Sequence, residues 1–284
     1  MLKDSTIDSQ HSVDPGNARK TGTTITVLQI SDMHLLSHPD QKFLGINTEE
    51  SFHAVVDLAK SRKWPPDLIL FTGDLAQDSS YDAYVRLQHY LARLECPCYC
   101  LPGNHDDLQI MKNIFAGDNV SCQDQVILPE WQIICLNSKM IGGEGGHIAS
   151  DELQKLDRLL SELPDKYALV SVHHHCLPVG SRWLDTMVID NRSEFFAVLQ
   201  SHKQVRAVVC GHIHQHLDVR YGNLRILGTP STCFQFKPNS EDFALDMQPA
   251  GYRWIDLCAD GSIETAVSRL AELPQGLDIN SSGY

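Results

Sequence analysis

Side chains that bind metals or move protons recur in five short clusters along this chain of 284 residues. They are Asp32 and His34; Asp74; Asn104 and His105; the triplet His173, His174 and His175; and His212 and His214. Two histidines one residue apart past a strand end can share a face on extended backbone, roughly 6.5–7 Å apart. Such a pair can hold one metal, or one metal each of a close pair. Carboxylate, imidazole and amide oxygen without thiolate suit Mn²⁺, Fe or Zn²⁺ at a reactive site rather than a structural zinc. Even with His105 set aside, one of the triplet brings the candidate ligands to seven, too many for one tetrahedral ion. They suit two ions that share a carboxylate. Paired ions roughly 3.5–4 Å apart serve in-line displacement at phosphorus.

Taken singly, each cluster has an ordinary explanation. Asp32 could cap a helix, Asp74 could sit in a turn, and Asn104 could occupy a left-handed turn position. The histidine triplet could be a polar surface run. What argues for a site is their common placement. Apolar runs at 25–30, 67–71, 96–101, 167–172 and 205–210 read as strands, and each cluster follows one of them. Ligands of open α/β sheets bind at the carboxyl ends of strands, so five loops can meet in one cavity.

The segments between those strands read as helices. Residues 47–62 carry Asn47 or Thr48 as cap, Glu49 and Glu50 in the first turn, and a stripe of Phe52, Val55, Val56 and Ala59. Further helices are expected over 80–94, 150–163 and 193–201. Residues 126–128 and 131–136 read as antiparallel strands, and a glycine-rich loop spans 142–146. Residues 176–190 read as a long connection. Hairpins are expected around Gly222-Asn223 and Asp260-Gly261.

Composition narrows the partners. The formal net charge of −13 opposes nucleic acid or an anionic membrane as main partner. It permits a small phosphate substrate, because bound cations invert the field locally. No apolar run is long enough for a membrane span. Residues 1–23 lack the apolar stretch of a signal peptide and read as a flexible leader. Residues 24–273 then form one domain, and 274–284 read as a loose tail. Nine cysteines without a framework spacing are expected to be reduced thiols of a cytoplasmic protein. Cys96, Cys98 and Cys100 alternate on one expected strand. They read as packing thiols, with a sulfur-rich metal site as the alternative.

Asp32-x-His34, Gly73-Asp74, Gly103-Asn104-His105-Asp106, His173 and Gly211-His212-x-His214 resemble, in order, the motifs of the calcineurin-like metallophosphoesterases. Segments at 73–78, 101–106 and 229–238 extend the resemblance to the class III cyclic nucleotide phosphodiesterases within that family. The resemblance implies an α/β fold of the α+β kind, a β-sandwich of mixed sheets flanked by helices. It implies one metal held by Asp32, His34, Asp74 and His214, and a second held by Asp74, Asn104, His173 and His212. Asp74 would bridge them, and the ions would be Fe or Mn, with Zn as the alternative. His174 replaces His173 if the strand ends one residue later.

The implied reaction is hydrolysis of 3′,5′-cyclic AMP to 5′-AMP by a metal-bridging hydroxide. The substrate would lie against His34, Asp74, Asn104, His105, His173 and His214. His105 would protonate the leaving oxygen, and Asp106 would orient His105. Gly211 would leave room for close approach of backbone or substrate. Trp183, Phe234 and Phe236 are apolar enough to stack on a base, although ordinary packing explains them too. Related readings are a diesterase for linear substrates, a phosphomonoesterase, and a metal-binding scaffold without catalysis. The sequence leaves the oligomeric state open.

Overall fold

The computed structural model describes residues 23–117 and 119–283, so the expected leader lies outside the described residues except for Thr23. Strand β1 (Ile25–Ile30) leads to helix α1 (Thr48–Arg62), β2 (Leu68–Thr72), α2 (Tyr81–Leu91), β3 (Cys98–Leu101), α3 (Leu108–Ile114) and β4 (Val120–Ser121). The second half holds β5 (Gln125–Ile127), β6 (Trp131–Cys135), α4 (Ser150–Glu162), β7 (Tyr167–Ser171), α5 (Arg182–Asp185), α6 (Arg192–Ser201) and β8 (Val205–Cys210). Then come β9 (Leu217–Tyr221), β10 (Leu224–Gly228), β11 (Gln235–Phe236), β12 (Leu245–Asp246), β13 (Gly251–Leu257) and β14 (Ile263–Arg269).

Two six-stranded mixed sheets form a sandwich, ordered β14-β13-β1-β2-β3-β4 and β5-β6-β7-β8-β10-β9. Val27, Leu70 and Leu101 of the first sheet pack against Trp131, Leu169 and Val209 of the second. The outer face of the first sheet is covered by α1 and α2 through Phe52, Val55, Tyr84 and Leu87. The outer face of the second is covered by α4 and α6 through Leu156, Leu160, Phe195 and Leu199. Strands β1 and β2 are buried on both faces, which is why they read as unbroken apolar runs rather than alternating ones.

Local chemistry sets the helix limits. The Asn47 side chain accepts from the Glu49 and Glu50 amides, both at 3.1 Å, while Lys60 and Arg62 lie in the last turn of α1. Helix α3, capped by Asp107, was not foreseen, because only Met111 of its seven residues is buried and no apolar stripe marks it. Likewise α5 interrupts the connection expected over 176–190. Cys96 falls in the turn before β3 rather than on the strand, and Cys96, Cys98 and Cys100 all pack in the core under α2. All nine cysteines are free thiols.

Among the described residues no helix is long and apolar enough to cross a membrane. Residues 274–283 contain neither helix nor strand. Leu277 nonetheless packs beside Phe234, Phe236 and Leu184, and the Asp278 amide donates to the Leu44 carbonyl at 2.9 Å.

Candidate metal centre

The carboxyl ends of β1, β2 and β3 in one sheet, and of β7 and β8 in the other, open at the same edge of the sandwich. Buried Gln29 ties the two sheets there: its Nε2 donates to Thr72 Oγ1 and to the Cys210 carbonyl, both at 3.1 Å. The loops are laced by backbone bonds. The Asp32 amide donates to the Gly73 carbonyl at 3.0 Å, that of His34 to Asp74 at 2.9 Å, and that of Gly211 to His173 at 3.0 Å.

Five candidate ligands sit in the left-handed region: Asp32 (φ 55°), His34 (48°), Asp74 (51°), His212 (64°) and His214 (48°). Each such non-glycine residue costs on the order of 1–3 kcal/mol and persists only where the surroundings hold it. The backbone at 212–214 is therefore not extended, and the two histidines do not share a face as the sequence spacing suggested. They diverge into two groups.

In the first group, His214 Nε2 lies 3.4 Å from Asp32 Oδ1 and 3.3 Å from His34 Nε2. His34 Nδ1 bonds Gln77 Oε1 at 2.6 Å, and His214 Nδ1 donates to the Phe234 carbonyl at 2.9 Å. In the second group, His173 Nε2 lies 3.2 Å from Asp74 Oδ2 and 3.1 Å from Asn104 Oδ1, while its Nδ1 donates to the Thr72 carbonyl at 2.8 Å. The His212 ring stands 5.1 Å from that of His173, and its Nε2 is buried without a hydrogen-bond partner among the described residues. Asp74 belongs to both groups, since its Oδ2 is also 3.8 Å from His34 Nε2.

This donor set fits cations. Histidines that ligate metals donate their second ring N–H to carbonyls or carboxylates, which turns Nε2 toward the ion. His173 and His214 have that arrangement. The unpartnered Nε2 of His212 and the facing Nε2 atoms of His34 and His214 both gain from a cation between them and the carboxylates. Electrostatics agree. Burial works to raise the Asp74 carboxyl, but the imidazoles of His173, His105 and His34 outweigh it and hold the group well below its usual range. Burial works to lower His173, yet Asp74 and Asp32 hold it up at about 9. His34 is pushed down to about 3 by burial, with Asp74 opposing.

The other expected roles divide. His105 sits at the rim, its amide on Asp74 Oδ1 at 3.0 Å and its Nδ1 on the Gln77 carbonyl at 2.9 Å. Gln77, which the sequence reading assigned no role, thus takes the orienting part foreseen for Asp106. The Asp106 carboxylate instead accepts from the amides of Leu75, Ala76 and Gly103 and from the Tyr84 hydroxyl at 2.9–3.1 Å. It clamps the loops after β2 and β3 together.

The three histidines of the triplet have three environments. His173 faces Asp74 and Asn104. His174 bonds Ser138 Oγ and the Glu144 carbonyl, although one of its nitrogens lies within 4.8 Å of those of His173 and His212. His175 stacks on His212 at 5.6 Å.

Phe234 and Phe236 are buried and stack on His34 and His214, with centroids at 5.9 and 4.1 Å. They back the histidines and do not stand ready for a base. Trp183 does line a cavity of about 380 Å³, together with Asn104, His105, Glu144, Phe243 and His212. Glu144 and Phe243 were not singled out from sequence, because neither carries a spacing signal.

Gly211 has a steric reason. A Cβ there would lie 2.1 Å from Ser31 Oγ and 2.9 Å from the Thr72 carbonyl oxygen. Gly211→Ala is expected to lower stability by about 2 kcal/mol, as over-packing does, and to reduce metal occupancy. Thermal unfolding and metal analysis of the variant check both.

Residues 25–216 match the model of the family described as calcineurin-like phosphoesterase. The chain belongs to the calcineurin-like phosphoesterases. It is 40% identical over 92% of its length, and 95% of the relative's, to the 3′,5′-cyclic adenosine monophosphate phosphodiesterase CpdA of Escherichia coli strain K12. It is 36% identical to the CpdA of Pseudomonas aeruginosa, covering 97% of this chain and 100% of the relative. A 3′,5′-cyclic-nucleotide phosphodiesterase of Nostoc is 39% identical, with 87% of this chain and 92% of that protein covered. Among solved structures, a dimetal phosphatase from Danio rerio shares the fold with a TM-score of 0.57 at 14% identity, covering 86% of this chain and 98% of that one.

Proposed function

We propose that this chain hydrolyses 3′,5′-cyclic AMP to 5′-AMP in the cytoplasm, at a centre of two metal ions. The observation that carries the substrate is identity of 36–40% to cyclic AMP phosphodiesterases across nearly their whole length. In this reading Asp32, His34, Asp74 and His214 hold one ion, and Asp74, Asn104, His173 and His212 hold the other. The donor set admits Fe, Mn or Zn. Bound there, the ions supply positive charge to the phosphoryl oxygens and lower the pKa of an attacking water.

The residues do the rest. His34, Asp74, Asn104, His105, His173 and His214 surround the place of the phosphoryl group. Water adds to phosphorus opposite the 3′-oxygen, and the bond from phosphorus to that oxygen breaks. His105 supplies its proton. His105 Nδ1 bonds the Gln77 carbonyl, and in this reading Nε2 is the atom that donates the proton. The His173 reading rests on the shared approach of its Nε2 to Asp74 and Asn104.

Relative kcat/KM for cyclic AMP, cyclic GMP and a linear diester tests the substrate. Cyclic AMP is expected to lead, and preference for the linear diester would sink the proposal. Exhaustive chelation is expected to abolish turnover and lower the midpoint of thermal unfolding, with both restored by Mn²⁺ or Fe²⁺. Full activity after chelation, with no metal left by elemental analysis, contradicts the metal centre.

A further inference from the structure

The cavity beside the metal centre has a wall that comes from far along the chain. Gly283 lines it, with Trp183, Thr186, Met187 and Phe243, next to Asn104, His105 and His212. Residues 274–283 are brought there by specific contacts. Gly45 has φ +84°, and a Cβ on it would sit 2.1 Å from the Gly276 carbonyl oxygen, so the two segments pass at a separation that glycine alone permits. One residue on, Leu277 packs in the cluster with Phe234 and Phe236, the rings that back His34 and His214.

The Asp278 amide then bonds Leu44. Asp278 also organises the turn that follows: its carboxylate accepts from the Asn280 amide at 3.2 Å and its carbonyl from the Ser281 amide at 3.1 Å. Ser281 Oγ donates to the Gly283 carbonyl at 2.8 Å. The segment that carries Gly283 to the rim is thus anchored to the aromatic backing of the metal-ligating histidines.

We infer that Gly283, held in place by residues 277–282, forms a specificity-determining wall of the substrate cavity, limiting the size of the ester arm that stays on the phosphoryl group. The inference rests on the proposal that this cavity takes a phosphodiester. Asn104, His105 and His212 belong to the phosphate end, so the organic arm must fill the remaining space. At about 380 Å³ the cavity is near the small end of ligand sites, which run from ~300 to ~1,000 Å³, so loss or gain of one wall group changes what fits. Among the described residues a Cβ on Gly283 would meet nothing within 4 Å, so a side chain there starts into open space.

The test uses two full-length variants with metals restored, Gly283→Trp and Leu277→Ala, and a third chain lacking residues 275–284. The probes are bis(p-nitrophenyl) phosphate and methyl p-nitrophenyl phosphate, which share a leaving group and differ in the retained arm. Gly283→Trp is expected to lower the bulky-to-small ratio of kcat/KM about tenfold, through KM, and the deletion to raise it about tenfold, the scale on which pocket shape discriminates. Leu277→Ala should shift the ratio in the direction of the deletion. A fold defect alone would not give opposite signs.

Ratios within twofold of the parent in Gly283→Trp and in Leu277→Ala overturn the wall, and if the deletion does not fold these two variants decide. Cyclic AMP assayed in parallel separates the two readings. A parent enzyme that cleaves both aryl esters but leaves cyclic AMP intact refutes the proposed substrate, while the aryl ratio still judges the wall. A parent that cleaves cyclic AMP but neither ester overturns the wall as a limit on ester arms and leaves the proposed substrate standing.

Discussion

Replacing Asp74 by alanine is expected to remove both metal ions and to lower kcat/KM by on the order of 10⁴-fold or more, since the reaction then loses the groups that hold its electrophiles. The size follows from position. Asp74 Oδ2 stands 3.2 Å from His173 Nε2 and 3.8 Å from His34 Nε2, so it is the carboxylate common to both ligand groups. Its other oxygen accepts the His105 amide at 3.0 Å, which couples the metal side to the proposed acid. Asp74→Asn is a useful companion. It keeps the shape and removes the charge, and it should retain less than one ion per site. Elemental analysis finding two ions in Asp74→Ala would refute the shared-ligand assignment.

His105→Ala should behave differently. Both ions are expected to remain, while turnover of cyclic AMP falls by roughly 10²–10⁴-fold, the usual worth of a positioned general acid. The loss should shrink for an ester with a p-nitrophenolate leaving group, because that group departs without a proton. Metal content and the two substrates together separate an acid from a merely structural residue. Equal losses on both esters, or no loss on cyclic AMP, would remove His105 from that role. Gln77 acts on His105 through a backbone carbonyl, so no side-chain substitution at Gln77 deletes that contact; it would disturb His34 instead.

The place of the site was legible in the sequence because β1, β2, β7 and β8 are buried on both faces. Their apolar runs end sharply, and Asp32, Asp74, His173 and His212 follow those ends. Helix α1 was legible through its cap and stripe. The conformation at the strand ends was not. A one-residue spacing suggests extended backbone, whereas His212 and His214 are left-handed, and the His212 amide donates to the Asp32 carboxylate of the other sheet.

Nor could spacing place a side chain that serves distant backbone. Asp106 follows His105 in sequence, yet its carboxylate reaches back to Leu75, Ala76 and Tyr84 across 31, 30 and 22 residues. Phe234 and Phe236 have the composition of a base-stacking pair, and only the packing reveals that histidines already occupy their faces. Short α3 and the path of residues 274–283 depend on tertiary contacts such as Leu277 against Phe234, which leave no periodic trace.

The most direct measurement combines metal analysis of the purified chain with chromatographic identification of the product from cyclic AMP. About two ions per chain and 5′-AMP as the sole nucleotide product are expected. A protein loaded with both metals that leaves cyclic AMP unchanged, or releases 3′-AMP, would contradict the proposed function.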